Sequence, residues 1–207
     1  MKNTLLLNKS SKEEIRKALL LQRSLLSPKQ QQHSAIKLTH IVSRRPEFIF
    51  SRYIAGYWPS HGEISPLPLI YHACAVFKKH CYLPVLSPDA KGQLAFVAYR
   101  KGDPLFPNRF GILEPKFNFQ KAIPARDLDL VLTPLVAFDG KGHRLGMGGG
   151  YYDRTFSFLK SGHKASLPYL LGLGYEFQQV KSLPFEGHDV QLNGIATEKK
   201  FQSARLV

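Results

Sequence analysis

The chain has 207 residues, 43% hydrophobic and 21% charged, a balance that excludes a wholly disordered chain and is ample for a well-buried core. Lysine and arginine number 29 against 15 acids, a net charge of +14 at pH 7, which suits either nucleic acid or a polyanionic small molecule. No apolar run approaches the ~18 residues of a membrane-spanning helix, and Met1–Asn8 turns polar too soon for a signal peptide. The expectation is therefore a cytoplasmic protein without a membrane partner. Two cysteines, Cys74 and Cys81, support neither a disulfide framework nor a four-ligand zinc site, and their apolar neighbours mark both as small buried hydrophobes. The eight histidines include no HExxH pair.

Ser11-Lys12-Glu13-Glu14 reads as a capping box, and Ile15, Ala18, Leu19, Gln22 and Leu25 follow it with helical spacing. Ser27-Pro28-Lys29-Gln30 repeats the signal, with proline where a missing N–H costs nothing, and Pro46 stops the pattern just past Arg44. The opening is thus an α-helical hairpin. Tyr53–Trp58, Cys81–Leu86, Leu94–Tyr99, Leu128–Leu132 and Tyr169–Tyr175 read as strands. Helices are expected from Ser65-Pro66 to Lys78-Lys79 and from Asp153 to Leu159. Leu105–Ala125, rich in Pro, Phe, Asn and Gly, reads as a long loop. Near-continuous apolar strands alternating with helices predict an α/β sheet covered on both faces, within one domain spanning 1–207.

The segment that carries chemistry runs from Pro134 to Arg154. A buried strand leads to a loop with glycine at 140, 142, 146, 148, 149 and 150, then to a helix start. Glycines let backbone N–H groups converge on an anion. The loop is neither a Walker A motif, lacking Gly-Lys-Ser/Thr, nor GxGxxG, because Tyr151 stands where the third glycine would fall. By glycine count alone, a plain glycine-rich turn fits as well.

Ala137-Phe138-Asp139, followed by Arg144-Leu145-Gly146-Met147-Gly148-Gly149-Gly150-Tyr151-Tyr152-Asp153-Arg154, resembles the signature of the 5-formyltetrahydrofolate cyclo-ligase family. Lys12-x-x-x-Arg16, Gly62-Glu63-Ile64, Leu83-Pro84-Val85, Gly111-Ile112-x-Glu114-Pro115 and His188-Asp189-Val190 extend the resemblance over nearly the whole chain. Departures are local: Leu135 stands where glycine is commoner, and Gln191 and Asn193 where proline and aspartate are frequent.

The resemblance implies a Rossmann-like three-layer sandwich with a mostly parallel sheet. It also implies a ligase of folate one-carbon metabolism that uses ATP as co-substrate and Mg²⁺ as cofactor. An ATP site is implied over Lys12, Glu13, Glu14, Ile15 and Arg16, and over Arg144, Leu145, Gly146, Met147, Gly148, Gly149, Gly150, Tyr151 and Tyr152. A 5-formyltetrahydrofolate site falls on Arg16, Trp58, Glu63, Met147, Gly148, Gly149, Gly150 and Tyr151. Arg144 and Tyr152 take catalytic roles, and Asp153 and Asp189 ligate the metal. The implied partners are the folate, with or without a polyglutamate tail, and ATP. Nucleic acid is not among them, and the protein is expected to be a monomer. Each residue alone has a plainer reading: Lys12 and Arg16 as a solvated helix face, Trp58 as core, Glu63 as loop, Asp153 as a first-turn acid. Two other functional classes fit the charge or the motif: a basic RNA-binding protein, and a relative that keeps the pocket without turnover.

Overall fold

The computed structural model describes residues 11–161 and 168–204; the Met1–Asn8 reading lies outside them. Both capping boxes form. Ser11 opens α1 (Lys12–Ser24), its hydroxyl accepting from the Glu14 amide while the Glu14 carboxylate accepts from the Ser11 amide. Ser27 and Gln30 do the same for α2 (Pro28–Val42). Pro46 does more than end the hairpin: it takes an early position in a further short helix, α3 (Pro46–Ile49), where its lost N–H is harmless. The next helix, α4 (Leu67–Ala75), ends earlier than its apolar pattern suggests, and Lys78 just beyond it has a positive φ of 54°.

Eight strands form one sheet: β1 (Tyr53–Ala55), β2 (His80–Leu86), β3 (Leu94–Ala98), β6 (Ala122–Ile123), β7 (Leu130–Pro134), β10 (Tyr169–Leu173), β11 (Gly194–Ala196) and β12 (Phe201–Ser203). Two hairpins stand outside it, β4 (Leu105–Pro107) with β5 (Leu113–Pro115), and β8 (Ala137–Phe138) with β9 (Arg144–Leu145). The sheet order is β12-β11-β10-β7-β1-β2-β3-β6. Strands β11, β10, β7, β1 and β2 run parallel, and β12, β3 and β6 add antiparallel margins. This is the mixed α/β fold with a mostly parallel sheet that the strand–helix alternation predicts.

Side chains alternate between two buried faces, which is why the strands read as unbroken apolar runs. Ile54, Leu130, Leu132, Leu171 and Leu173 pack under α2, α3 and α4 against Leu38, Val42, Phe48, Leu69 and Ile70. Ala55, Val131 and Leu170 face the other way, toward Phe96, Phe156, Val190 and Leu192. That second face is covered by one short helix, α5 (Tyr151–Thr155), a following 3₁₀ turn over Ser157–Ser161, and irregular chain. The expected helix over Asp153–Leu159 thus starts two residues earlier and breaks at Phe156. Helix α1 sits apart, with Ile15 and Leu19 against Val136, Ala137, Leu145, Val180 and Leu183.

Leu105–Ala125 is not one long loop. It folds into the β4–β5 hairpin and then supplies the edge strand β6. The strands are two or three residues long, too short to show a period, and their prolines are tolerated because edge strands leave N–H groups unpaired. Asn108 organises the turn: its carbonyl oxygen accepts from the amides of Phe110 and Ile112, and its Nδ2 donates to Glu114. Of the two cysteines, Cys81 is buried and Cys74 only half-buried.

The glycine-poor reading of Leu135 has a structural answer. A Cβ on Gly172 would lie 2.9 Å from Leu135 Cδ2, and one on Gly174 2.7 Å from Leu135 Cδ1. Glycines on and just after β10 therefore leave room for the leucine. Gly142 is more constrained still, with φ +84° and a Cβ that would meet the Leu192 carbonyl oxygen at 2.5 Å. Gly142→Ala is expected to lower stability by about 1–3 kcal/mol, read as a lower urea midpoint at unchanged slope.

Candidate active site

The connection leaving β1 crosses one face of the sheet through α4, and the one leaving β7 crosses the other through α5. Adjacent parallel strands whose crossovers diverge leave a crevice beyond their carboxyl ends. Here it is a cleft of about 710 Å³, with Trp58 beyond β1, Pro84 and Leu86 on β2, Pro134 at the end of β7 and Leu135 and Val136 just past it in its wall. Helix α1, the glycine loop, the β4–β5 hairpin and the 186–189 turn close its sides.

The β8–β9 hairpin aims the glycine loop. Its tip is tied by Asp139, fully buried, whose carboxylate accepts from the amides of Lys141, His143 and Leu183 and faces His143 Nδ1 at 3.0 Å. Beyond Leu145 the chain runs through Gly148 at φ +97° and Gly150 at φ +64° into α5. Arg154 braces the turn, with Nε donating to the Gly92 carbonyl at 2.8 Å and Nη2 to that of Gly149 at 2.5 Å. A Cβ on Gly150 would lie 2.6 Å from Arg154 Nη1. The left-handed backbone favours glycine at this point, while the guanidinium tip could move aside.

Lys12 and Arg16, four residues apart, present one face of α1 to the cleft. Arg16 Nε donates to the Gly146 carbonyl at 3.0 Å, joining the helix to the loop. Lys12 Nζ lies 2.8 Å from Glu186 and 3.4 Å from Asp189. Burial works to lower the pKa of Lys12, but these two carboxylates outweigh it and hold the ammonium charged above its usual range. Glu13, Glu14 and Ile15 stand off the cleft. Glu13 is exposed, Glu14 is occupied as the cap and Ile15 is core.

Arg144, Leu145, Gly146, Met147, Gly148, Gly149, Gly150, Tyr151, Tyr152, Asp153 and Asp189 all line the cleft, as do Trp58 and Glu63. Arg144 donates to the Val190 carbonyl and, at 2.6 Å, to Asp153 Oδ1, which also takes the Val190 amide at 3.0 Å. The Tyr151 ring packs against Phe110 edge-on, lies under the Arg154 guanidinium, and its hydroxyl accepts from Arg109. The Tyr152 hydroxyl is buried and makes no hydrogen bond among the described residues. Burial and the nearby Glu63 carboxylate push its pKa well above the usual tyrosine value, so it stays a proton donor.

Also in the wall, Trp58 meets Tyr99 edge-on at 6.4 Å. Glu63 Oε2 accepts from the Ser60 amide at 2.9 Å and from its hydroxyl at 3.3 Å. Burial raises the pKa of Glu63; the Ser60 hydrogen bonds, Arg23 and His61 oppose it without cancelling it.

Among the described residues no three His, Cys, Asp or Glu side chains cluster as a metal cage. Two carboxylates in the cleft wall, Asp153 and Asp189, nonetheless fit Mg²⁺, which takes one or two carboxylates and fills its shell with phosphate oxygens and water. Asp153 Oδ2 receives no hydrogen bond from the described residues, and Asp189 Oδ1 has only His188 Nε2 at 3.5 Å.

Residues that the sequence reading did not assign stand in and behind the cleft. The β4–β5 hairpin contributes Asn108, Phe110, Ile112, Leu113 and Glu114, and the late turn contributes Glu186. Beneath Glu63 lies Arg23, only 1% exposed. A cation on the same helical stripe as Ile15 and Leu19 was the available signal.

The sequence model of the 5-formyltetrahydrofolate cyclo-ligase family matches residues 8–198. The chain is 41% identical to the 5-formyltetrahydrofolate cyclo-ligase of Haemophilus influenzae over 186 residues, 90% of this chain and 97% of the relative. It is 36% identical to the enzyme of that name from Escherichia coli K12 over 178 residues, 86% of this chain and 95% of the relative. Among solved structures, the 5,10-methenyltetrahydrofolate synthetase of Aquifex aeolicus superposes with a TM-score of 0.77 at 30% identity, covering 94% of this chain and 93% of the other.

Proposed function

The chain belongs to the 5-formyltetrahydrofolate cyclo-ligase family, and we propose that it converts 5-formyltetrahydrofolate and ATP to 5,10-methenyltetrahydrofolate, ADP and phosphate. What carries this reading is convergence in one cleft. Lys12, Arg16, Arg144 and a glycine-rich backbone line it together with Trp58 and the half-buried Glu63.

An N-formyl oxygen is a poor leaving group. Transfer of the γ-phosphoryl to that oxygen makes it a good one; N10 then attacks the formyl carbon, and phosphate departs with the oxygen. The protein's work is alignment and charge neutralisation. Backbone amides from Gly146 to Gly150, with Lys12 and Arg16, hold the triphosphate. Arg144, fixed by Asp153 and the Val190 carbonyl, places its guanidinium beside the transferring group. Tyr152 offers its hydroxyl proton to the formyl oxygen. Glu63 accepts paired hydrogen bonds from the pterin amino and ring N–H groups, and Trp58 supplies an aromatic face. Asp153 and Asp189 would hold Mg²⁺, which when bound supplies positive charge to the phosphate oxygens. No helix among the described residues is long and apolar enough to cross a membrane.

Purified protein given 5-formyltetrahydrofolate, Mg²⁺ and ATP is expected to raise the near-ultraviolet absorbance of the methenyl product. Folded protein with no ATP-dependent product would overturn the assignment. Replacing Lys12 and Arg16 together by alanine is expected to raise KM for ATP about 10- to 100-fold; an unaltered KM would remove the helix from the nucleotide site.

A further inference from the structure

Arg23 is the largest fully buried side chain of the protein, at 1% exposure. It lies outside the cleft wall and the mechanism above does not use it. Its position is nevertheless heavily specified. Nε donates to the His61 carbonyl at 2.9 Å and Nη1 to the Leu135 carbonyl at 3.3 Å, while Nη2 is buried and makes no hydrogen bond among the described residues. One guanidinium therefore joins the loop that carries Glu63 to the turn leaving β7. The loop turns beside it at Gly62, whose φ of +74° favours glycine. Two tyrosines complete the brace, Tyr57 donating to the Ile64 carbonyl at 2.6 Å and Tyr175 to that of Gly62 at 3.1 Å.

A buried cation without an ion pair is costly, and such a charge persists where a nearby anion or a function offsets the cost. The acid within its electrostatic reach is Glu63. The other groups facing Glu63 are Ser60 and His61 from its own loop, Tyr57 from the segment after β1, and Tyr152 from α5. Tyr175 adds a further hydroxyl near the carboxylate. The tyrosine hydroxyls are neutral, so Arg23 is the one fixed positive charge in this group.

We infer that Arg23 is a positioning residue that ties the Glu63 loop to the turn leaving β7, so that the carboxylate is held where it accepts the paired N–H groups of the pterin. The inference rests on the reading of Glu63 as the pterin acceptor. The charge so held has an effect of definite sign. Burial already raises the pKa of Glu63, and the Arg23 charge opposes that rise. Without the charge, Glu63 takes up its proton at higher pH, and a protonated carboxyl loses an acceptor. KM for the folate should then begin to climb at higher pH than in the wild type.

The test titrates ¹³C-labelled glutamate side chains by NMR without substrate, assigning Glu63 by its loss in Glu63→Gln. Arg23→Gln is expected to raise the Glu63 midpoint by about one pH unit or more. Arg23→Lys, which keeps the charge, is expected to stay within about half a unit of wild type. The acid limb of the KM–pH profile for 5-formyltetrahydrofolate should move with the midpoint and vanish in Glu63→Gln. An unmoved midpoint in folded Arg23→Gln would overturn the inference. If that variant does not fold, a rise of about one unit or more in Arg23→Lys would do so. Because the NMR midpoint needs no turnover, loss of this inference is distinguishable from loss of the enzymatic reading itself.

Discussion

Arg144→Ala is expected to lower kcat about 1000-fold, in the range seen when an arginine that neutralises a transferring phosphoryl group is removed. Its side chain is only 7% exposed and is held on both sides, by Asp153 and by the Val190 carbonyl. A guanidinium so fixed has little freedom left to lose when substrate arrives, so its charge acts with small reorganisation. The loss should fall on kcat more than on the KM for ATP, since the arginine is assigned to the group in transit rather than to the resting nucleotide. Arg144→Lys should recover only part of the rate, because an ammonium cannot hold two acceptors in one plane. Steady-state kinetics on variants with wild-type far-ultraviolet dichroism make the measurement. A fall in kcat below about tenfold would place Arg144 outside the reacting centre.

Asp139→Ala should be the most destabilising of the substitutions proposed here, by about 3–5 kcal/mol. The carboxylate is fully buried and serves the amides of Lys141, His143 and Leu183 together with the His143 ring. Alanine would leave three backbone donors without their acceptor, and a buried unsatisfied donor carries its full desolvation penalty. Because these bonds fix the hairpin that launches the glycine loop, activity should fall in parallel with stability. Thermal unfolding should show a midpoint about 10 °C lower. A change of less than about 1 kcal/mol would mean that water or another group takes over the amides.

What the residues announced in advance follows from how local each signal is. The two capping boxes involve four residues apiece, and both formed. The central strands were legible because both their faces are buried, so no alternation was needed to see them. The Leu105–Pro115 hairpin was invisible because its three-residue strands are held by an asparagine-centred turn and not by an apolar period. In the cleft, Lys12 and Arg16 were readable as a pair at helical spacing, and they do face one pocket. Glu13, Glu14 and Ile15 were carried along with them by sequence adjacency, but successive residues on a helix point about 100° apart. Arg23 was missed for the opposite reason. Its carbonyl partners, His61 and Leu135, lie 38 and 112 residues away, and the one local sign is its place on the helical stripe of Ile15 and Leu19.

The contact between Leu135 and β10 has an evolutionary corollary. A side chain with methyls this close to Gly172 and Gly174 makes the three positions interdependent. Glycine in place of Leu135 would free the nearest contact of an alanine at 174, whereas Gly172 would stay closed by Leu192 Cδ1 at 2.5 Å. In this lineage the same alanine would find its seat taken, and the order in which such replacements arise would decide which of them survive.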